Sequence, residues 1–464
     1  MPGILGIAAY IPRYRLSAKT VGQIWGRGGG GERAVANYDE DSLTMAVEAA
    51  LNAMAGRDPA TVGACLFAST TPPYAEKSSA TLLATVADLG TEVVTADLGG
   101  SLRCGTTALR MALDLVKAGT ASQALVAAAD MRPAAPGTEL ETVLGDGAAA
   151  VLVGEGEAIA TFEGAYTVSR EFIDVWRTHN DRYLQMGDTT FGRAYGLDKH
   201  IPEAVDGLLG TLGLKRQEIA KVAYYAPDFR VHAALARQLK FPESAMLKEP
   251  VIGKVGNTGS ASPLLGLASA LEEAKPGERI VVVSYGNGAE ALCFQATEQI
   301  ERHSWTHGVS AQLALGRPLT HYGKFLLFRR HVETEVIRAF SSLPTMVREE
   351  RQNLRLYGQK CADCGAVSYP RRHLCWNCSG KDLTDQKLQR QGKVFTFTKD
   401  HLIPSPDPPT VMVSADLEGG GRFYAQLTDC DASQVTFEMP VELIFRRIHE
   451  GEELVNYFWK FRPA

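Results

Sequence analysis

The first 300 residues alternate apolar runs of strand length with segments whose apolar positions recur about every three to four residues. The strand-like runs include "GACLFAST", "QALVAAAD", "KVAYYAP" and "RIVVVSYG". The helix-like segments between them include "SLTMAVEAALNAM" and "TALRMALDLVKAG". Runs that are apolar throughout are typical of strands buried on both faces of a sheet. The pattern therefore predicts an α/β protein built around a buried sheet.

A short internal repeat divides this region into two parts. The sequence "GDGAAAVLV" begins at Gly145, and "GNGAEALCF" begins at Gly286. Both place Gly-x-Gly-Ala before an apolar strand, and each closes a comparable stretch of α/β pattern. The repeat predicts two similar halves, at residues 1–165 and 166–300.

The pattern changes after residue 300. Residues 301–357 are predicted to form a linker, with a charged helical stretch from Glu333 to Tyr357 that Pro344 interrupts. Paired cysteines follow within residues 358–385. Residues 386–464 then carry about five short β-rich runs separated by Gly, Pro and Asp turns, among them "KVFTFTKD", "TVMVSADL" and "ELVNYFWKF". Five such strands predict a small closed barrel of the OB type.

Four cysteines form the most specific motif of the chain. Two Cys-x-x-Cys pairs, Cys361 with Cys364 and Cys375 with Cys378, are separated by ten residues. This spacing is typical of a zinc ribbon, in which four thiolates surround one tetrahedral ion. Because four protein ligands leave no position for water, the predicted zinc is structural rather than catalytic. The alternative is four thiols without a metal.

Composition narrows the class of protein and its compartment. The 464 residues carry a net charge of −5, and no apolar run near the beginning reaches the roughly 18 residues that a membrane span needs. The other four cysteines are scattered, at Cys65, Cys104, Cys293 and Cys430, which favours free thiols over a disulfide framework. We therefore expect a cytoplasmic protein that does not bind a membrane.

A local basic excess bears on possible partners. Residues 348–393 contain ten Lys and Arg against five Asp and Glu. Such an excess suits the phosphates of RNA or those of coenzyme A, and zinc ribbons and OB barrels both occur in nucleic-acid binders. The α/β region fused to the ribbon favours coenzyme A, so no nucleic-acid partner is expected.

Several motifs together resemble one superfamily. They are "GILGIAAYIPRYRL", "TTPPYAEKSSAT", "GGSLRCGTTALRMAL", "KVGNTGSASPLLGLASAL" and "VVVSYGNGAEA". The first 300 residues resemble the thiolase superfamily, most closely its 3-hydroxy-3-methylglutaryl-CoA synthase-like branch. The remainder is similar to the zinc-ribbon/OB-fold family that accompanies thiolase-like enzymes. The resemblance implies an α-β-α-β-α thiolase fold with duplicated βαβ halves, an acyl-CoA substrate that brings coenzyme A, and a homodimer. A thiolase-like partner subunit is a further candidate partner.

The loop before the helix "TALRMALDLVKAG" decides which residue occupies the nucleophile position. The family loop has the form Ser-Cys-Arg-Ala-Gly-Thr, and aligning it without gaps on residues 101–106 places Leu102 where the family has its nucleophilic cysteine. Cys104 follows two residues later, about 200° around a helix, and should face away from the substrate. A one-residue gap would instead return Cys104 to the nucleophile position.

The other family positions are altered as well. The glutamate of the synthases falls at Thr70, and the triplet that usually begins with histidine is here Tyr225-Ala226-Pro227. Asn257 matches the family asparagine. We therefore predict Tyr225, Asn257 and Tyr285 as catalytic residues. We predict substrate contacts for four further residues, namely Leu102, Thr70, Arg230 and His232.

A site without a nucleophilic cysteine favours chemistry through a thioester enolate. The sequence therefore predicts a thiolase-like aldolase that makes or cleaves a C–C bond next to an acyl-CoA thioester. Tyr225 can serve as the base if its pKa is lowered. Two alternatives remain. One is an acyltransferase of the 3-hydroxy-3-methylglutaryl-CoA synthase or ketoacyl synthase type that uses Cys104. The other is a non-catalytic acyl-CoA-binding scaffold for a thiolase partner.

Overall fold

The computed structural model describes residues 1–26, 30–333, 342–451 and 454–464. Its contacts divide the chain into two units. The first unit comprises Met1–Ala36 and Asp41–Phe325, and the second comprises Asn37–Glu40 and Leu326–Ala464. None of the helices in these described ranges combines the length and the apolar character that crossing a bilayer requires.

The first unit is built on a nine-stranded sheet with the strand order β11-β12-β13-β8-β1-β7-β6-β4-β5. Short strands pair beside this sheet. The strands of the unit are β1 (Gly3–Tyr10), β2 (Tyr14–Ser17), β3 (Glu32–Val35), β4 (Val62–Ala68), β5 (Val94–Leu98), β6 (Gln123–Asp130), β7 (Gly147–Gly154), β8 (Ala160–Ser169), β9 (Val175–Trp176), β10 (Gln185–Met186), β11 (Ile219–Tyr224), β12 (Arg279–Tyr285), β13 (Gly288–Ala296) and β14 (Arg317–Pro318).

Strand pairing in the large sheet repeats itself. In one half β4 runs parallel to β6, β6 antiparallel to β7, and β7 antiparallel to β1. In the other half β11 runs parallel to β12, β12 antiparallel to β13, and β13 antiparallel to β8. A short antiparallel pairing of β1 with β8 joins the halves, with Gly3 opposite Thr161. The predicted duplication within a thiolase-like α/β fold is thus confirmed.

Helices pack on both faces of the sheet. They are α1 (Ala18–Trp25), α2 (Ser42–Ala53), α3 (Ser79–Val86), α4 (Cys104–Lys117), α5 (Glu139–Val143), α6 (Thr189–Phe191), α7 (Asp198–Leu212), α8 (Phe229–Leu239), α9 (Ile252–Val255), α10 (Ser262–Glu273), α11 (Val309–Ala314) and α12 (Tyr322–Phe328). Most residues of α2 and α10 are buried, as expected for helices enclosed within a layered core. A first core includes Leu113 and Leu265, and a second includes Leu208 and Val283.

The second unit consists of a small cysteine-rich sheet and a closed barrel. Two short helices come first, α13 (Leu343–Arg348) and α14 (Glu350–Asn353). The small sheet contains β15 (Tyr357–Cys361), β16 (Val367–Ser368) and β17 (Leu383–Lys387). The barrel contains β18 (Gln391–Asp400), β19 (Thr410–Leu417), β20 (Arg422–Leu427), β21 (Pro440–Gly451) and β22 (Leu454–Pro463). It closes in the order β18-β19-β20-β22-β21, as expected for an OB fold.

The predicted linker differs from what the structure contains. Within residues 301–357, β14 pairs in parallel with β2, and the chain belongs to the first unit as far as Phe325. The helical stretch predicted from Glu333 to Tyr357 lies partly outside the described residues. Its described part forms the two short helices α13 and α14, with Pro344 in the first turn of α13.

The segment Asn37–Glu40 belongs to the second unit although the chain on both sides belongs to the first. Its acidic side chains are buried among cations of the barrel. Lys460 Nζ lies 2.8 Å from Asp39 Oδ2, and Arg446 Nη1 lies 2.7 Å from Glu40 Oε1. Arg446 Nη2 also pairs with Asp429 Oδ2 at 2.6 Å. This group of five charged residues, which we call the barrel ion network, anchors the segment within the second unit.

Candidate functional site

A cavity of about 480 Å³ opens in the first unit. Several of its lining residues follow directly on sheet strands, where loops at strand ends commonly form ligand sites. Arg132 comes after β6, Tyr225 after β11, and Tyr285 is the last residue of β12. Leu102, in the loop after β5, and Asn257, in the loop before α10, complete this part of the lining. The fold therefore gathers into one cavity loops that are far apart in sequence.

Leu102 and Cys104 face different parts of the first unit. Leu102 lines the cavity and packs against the second core, whereas Cys104 begins α4, is 4% exposed and belongs to the first core. Burial raises the pKa of the Cys104 thiol far above its usual range, and the negative charge of Asp130 raises it further. A hydrogen bond with Ser260 opposes this rise without reversing it. Cys104 is therefore a protonated core thiol in this structure, and Leu102 occupies the cavity.

Tyr225 and Asn257 form the best-defined polar pair of the cavity. Asn257 Oδ1 accepts a hydrogen bond from the backbone N–H of Gly259 at 2.9 Å, which fixes the orientation of the amide. Asn257 Nδ2 then donates to Tyr225 Oη at 2.9 Å and to the carbonyl oxygen of Pro227 at 3.3 Å. Because the Tyr225 oxygen already accepts a hydrogen bond, its own proton is left to donate.

Burial determines the protonation state of Tyr225. The pKa of the phenol is raised by burial, and the positive charge of Arg132 and the hydrogen bond from Asn257 only partly offset that rise. The phenol is therefore neutral near pH 7. The condition for Tyr225 to serve as a base, a lowered pKa, is not met, since desolvation outweighs the nearby cation. Tyr225 is suited to donate a hydrogen bond, not to act as a base.

Tyr285 lies beside Tyr225 and is tied to a carboxylate. The two rings are nearly parallel, with centroids 6.0 Å apart. Tyr285 Oη donates to Asp174 Oδ2 at 2.7 Å. Burial and the charge of Asp174 both raise the pKa of Tyr285. Sequence reasoning missed Asp174, which also lines the cavity, because it lies between β8 and β9 in a stretch with neither a motif nor periodicity.

Arg132 is the second residue of the cavity that sequence reasoning missed. It is 5% exposed and lines the cavity, and its Nε has no hydrogen-bond partner. Asp130, two residues earlier, is engaged elsewhere, accepting hydrogen bonds from the Ser69 hydroxyl at 3.0 Å and the Ser260 N–H at 2.7 Å. One signal was available: Arg132 follows the apolar strand "QALVAAAD", and a charge just after a buried strand is typical of a site residue.

The remaining predicted substrate contacts divide between the cavity and its surroundings. Arg230 is exposed and lines the cavity. Thr70 does not line it, and its N–H donates to Asp130 Oδ1 at 2.7 Å. His232 also lies outside the lining, stacked on Tyr224 with ring centroids 4.4 Å apart. The roles assigned to these residues remain predictions.

The four predicted zinc ligands converge in the second unit. The sulfur atoms of Cys361, Cys364, Cys375 and Cys378 all lie within 4.8 Å of one another. Cys361 Sγ is 3.6 Å from Cys378 Sγ, and Cys364 Sγ is 3.5 Å from Cys375 Sγ. Tetrahedral zinc with Zn–S bonds of about 2.3 Å requires sulfur atoms about 3.8 Å apart. The arrangement fits a structural zinc ion held by four thiolates.

Comparison with protein families identifies three segments of the chain. Residues 209–295 match the family model for the C-terminal domain of 3-oxoacyl-[acyl-carrier-protein] synthase III. Residues 348–384 match the rubredoxin-like zinc ribbon domain of ChsH2, and residues 385–446 match its C-terminal OB-fold domain. The ribbon and barrel matches agree with the cysteine cluster and the closed barrel described above.

Solved structures support the same class. An HMG-CoA synthase complexed with CoA superimposes with a TM-score of 0.66 at 18% identity, over 74% of this chain and 94% of that one. The 3-oxoacyl-[acyl-carrier-protein] synthase III of Aquifex aeolicus gives a TM-score of 0.57 at 24% identity, over 64% of this chain and all of that one. At these identities the likeness concerns the fold.

The fold and the converging loops define a thiolase-like protein fused to a zinc ribbon and an OB barrel. The hydroxymethylglutaryl-CoA synthase of Methanopyrus kandleri is 34% identical over 343 residues, which cover 71% of this chain and 98% of the relative. That of Thermococcus onnurineus is 36% identical over 304 residues, covering 64% and 86%. The chain belongs to the hydroxymethylglutaryl-CoA synthase family.

This family membership corrects the predicted reaction. The sequence predicted a thiolase-like aldolase, a C–C lyase. The relatives are named as synthases instead. The aldolase prediction is therefore wrong, and the acyltransferase alternative agrees better with the relatives.

Proposed function

We propose that the protein is an acyltransferase that takes its acyl group from an acyl-CoA thioester bound in the cavity. The proposal rests chiefly on the cavity, which Tyr225, Asn257 and Tyr285 line together; by resemblance, Tyr225 and Asn257 fall where thiolase-like enzymes carry a histidine and an asparagine. The relatives named hydroxymethylglutaryl-CoA synthase, and an HMG-CoA synthase of the same fold complexed with CoA, agree with an acyl-CoA substrate.

Tyr225 binds the carbonyl oxygen of the thioester in this mechanism. Its hydroxyl accepts from Asn257 and therefore donates outward, and its raised pKa keeps the proton in place. A fixed donor of this kind stabilises the negative charge that develops on the carbonyl oxygen during acyl transfer. Asn257 is a positioning residue, since both of its amide hydrogens are already engaged.

The acyl group passes directly from coenzyme A to the acceptor. A nucleophilic atom of the acceptor bonds to the thioester carbon, the C–S bond breaks, and coenzyme A leaves as a thiolate. The proton lost by the acceptor ends on that thiolate. The direct route follows from Leu102, which offers no nucleophile in the cavity, and from Cys104, which is buried in another core.

A scaffold that binds acyl-CoA without turnover is the second candidate. The side chain of Leu102 favours it, because a thioester lying against an aliphatic group meets nothing that can attack it. In that case catalysis would belong to a thiolase-like partner subunit.

For both candidate functions we expect the protein to form a homodimer through its first unit. Strand β5 lies at one edge of the large sheet, and the side chains along it are mostly exposed or half-buried. An edge strand of this kind presents unpaired backbone groups that a second copy can cover. Light scattering on the purified protein should give the mass of a dimer.

Intact-protein mass spectrometry combined with release of free coenzyme A tests the proposal. Wild type, Cys104→Ala and Leu102→Cys are each incubated with acetyl-, butyryl- and hydroxymethylglutaryl-CoA, with and without acetoacetyl-CoA as an acceptor. We expect acceptor-dependent release by wild type and Cys104→Ala without a covalent adduct, and an acyl adduct on Leu102→Cys alone. An adduct on wild type that Cys104→Ala abolishes would instead assign the nucleophile to Cys104. Tight binding with no release in any mixture would favour the scaffold.

A further inference from the structure

Arg132 carries a charge that no acidic residue in the described ranges pairs with. The guanidinium is buried in the cavity wall, and no residue in the described part of the chain forms an ion pair with it. The side chain of Arg132 also forms a hydrogen bond with the hydroxyl of Tyr225, but that hydroxyl is neutral and does not balance the charge. A guanidinium withdrawn from water is unfavourable unless an anion pairs with it. Arg132 therefore faces a cavity in which an anionic ligand would complete its interactions.

The nearest carboxylates are held by other groups. Asp130 accepts hydrogen bonds from the hydroxyls of Ser69 and Thr71, both at 3.0 Å, and from two backbone N–H groups. Asp174 accepts from Tyr285 Oη and from the N–H of Val175. Both carboxylates are thus stabilised without Arg132, and neither lies at ion-pair distance from its guanidinium.

We propose that Arg132 binds a carboxylate on the acyl group, so that the preferred substrates are coenzyme A thioesters of short dicarboxylic acids. This inference rests on the proposed function, because it requires acyl-CoA to bind in the cavity. A carboxylate matches the planar guanidinium with two parallel hydrogen bonds, which gives direction as well as attraction. Arg132 is then the specificity-determining residue of the site.

Coenzyme A also carries phosphates, and burial distinguishes the two sources of negative charge. Arg132 shares its part of the cavity with Tyr225 and Asn257, which are 4% and 2% exposed. Arg230 lines the same cavity but is exposed to solvent. Strongly hydrated phosphates suit the exposed arginine, whereas a single carboxylate at the end of an acyl chain suits the buried one.

Binding titrations with matched thioesters test the assignment on the full chain. Malonyl-, succinyl- and glutaryl-CoA are each compared with the neutral thioester of equal chain length, namely propionyl-, butyryl- and pentanoyl-CoA, and free coenzyme A serves as the reference. Wild type should bind at least one dicarboxylic member about 30-fold or more tightly than its neutral counterpart. Arg132→Met should abolish this preference and leave the affinities for neutral thioesters and free coenzyme A unchanged. Arg132→Lys, which keeps the charge but not the paired donors, should retain part of it.

The exposed arginine provides the matched control. Arg230→Met should change all the affinities by the same factor and leave the preference for carboxylates intact. Equal binding of every matched pair by wild type would overturn the assignment while leaving the proposed function standing. A uniform loss of affinity in Arg132→Met, free coenzyme A included, would assign the guanidinium to a phosphate and equally overturn it. If wild type bound no coenzyme A thioester at all, the proposed function would fail and this inference with it.

Discussion

The hydroxyl of Tyr225 gains its direction from its neighbours. Asn257 donates to its oxygen at 2.9 Å, and burial raises its pKa, so the group holds one proton that points away from the amide. The same residue at the protein surface would exchange hydrogen bonds with water and have no fixed direction. A donor that is fixed before the reaction begins needs little reorganisation as charge develops on the substrate.

Replacing Tyr225 by Phe removes that donor and little else. We expect kcat for acyl transfer to fall by about 100-fold or more, with a smaller change in KM, because the lost hydrogen bond strengthens in the transition state. Since the pKa of Tyr225 is raised, wild-type activity should not decline between pH 7 and pH 9 through ionisation of this phenol. Steady-state kinetics at several pH values provides the measurement.

The adjacent tyrosine is the matched control for this substitution. Tyr224 Oη donates to the carbonyl oxygen of His232 at 3.0 Å and does not line the cavity. Tyr224→Phe should therefore keep kcat close to that of wild type. Equal losses in the two variants would mean that the effect arises from packing at the end of β11 and not from the hydroxyl of Tyr225.

At the level of residues, the sequence predicts the site residues that belong to a recognisable motif. It misses the site residues that only the folded chain brings to the cavity. Leu102, Tyr225 and Asn257 were found because each occupies a position in a recognisable loop. Arg132 and Asp174 lie in no recognisable motif. Arg132 reaches the cavity from the segment after β6, and Asp174 reaches it from the segment after β8. The sequence could not decide whether the pKa of Tyr225 is lowered, because burial is a tertiary property that sequence spacing does not reveal.

Helix α8 carries a half-buried histidine whose titration affects stability. His232 stacks on Tyr224, and burial lowers the pKa of its imidazole to about 4. The unfolded chain, with an ordinary histidine pKa near 6.5, binds a proton first as the pH falls. The contribution of neutral His232 to the free energy of unfolding should therefore be complete above about pH 6.5. It should decrease as the pH falls from 6.5 to 4.

Urea unfolding at pH 7.0 and pH 4.5 measures this dependence. We expect His232→Phe, which preserves the stacking on Tyr224, to reduce the loss of stability between the two pH values by about 1–2 kcal/mol. His449, whose pKa burial also lowers, lies in the barrel and provides a comparison in the second unit. An unchanged pH dependence in His232→Phe would show that the imidazole is protonated in the folded protein as readily as in the unfolded chain.

The zinc ribbon is a second element with a direct test. We expect one zinc ion per chain in wild type by elemental analysis, and a loss of zinc in Cys378→Ser together with faster proteolysis within residues 348–384. Cys430→Ser is the control, since Cys430 does not belong to the four-cysteine cluster. Wild-type protein that lacks zinc after purification without chelators would contradict the assignment.

Element by element, the apolar runs predicted β4, β6, β7, β11, β12 and β13 of the large sheet and the five strands of the barrel, but not β1 or β8. Periodicity failed between residues 301 and 357, where the elements are only two to seven residues long, such as β14 and α12. Elements this short show no period, and their position depends on contacts with distant segments. Strand β14 exists because it pairs with β2, some three hundred residues earlier in the chain.

The barrel ion network is the feature of the whole molecule with the largest expected effect on stability. Asp39→Ala leaves Lys460 without its partner and removes one of the acidic groups around Arg446. Breaking a buried pair in this way costs about 3–5 kcal/mol, because an uncompensated charge stays in the interior. We expect a loss of this size in the free energy of unfolding of the second unit, measured by urea denaturation.

An exposed ion pair in the same barrel gives the control. Asp416 pairs with Arg422 at 2.7 Å, and both side chains are about half exposed. Asp416→Ala should change stability by less than about 1 kcal/mol, since water screens such pairs. Similar losses in Asp39→Ala and Asp416→Ala would show that burial does not set the strength of these interactions.

The membership of Asn37–Glu40 in the second unit has a consequence for any attempt to divide the protein. A cut after Phe325 looks natural in the sequence, yet the barrel fragment it releases would keep Arg446 and Lys460 without Asp39 and Glu40. The other fragment would keep Asn37–Glu40, which fold as part of the second unit. If the two fragments were expressed as separate polypeptides, each would be incomplete. The barrel fragment should regain its stability only when a peptide containing residues 37–40 is added.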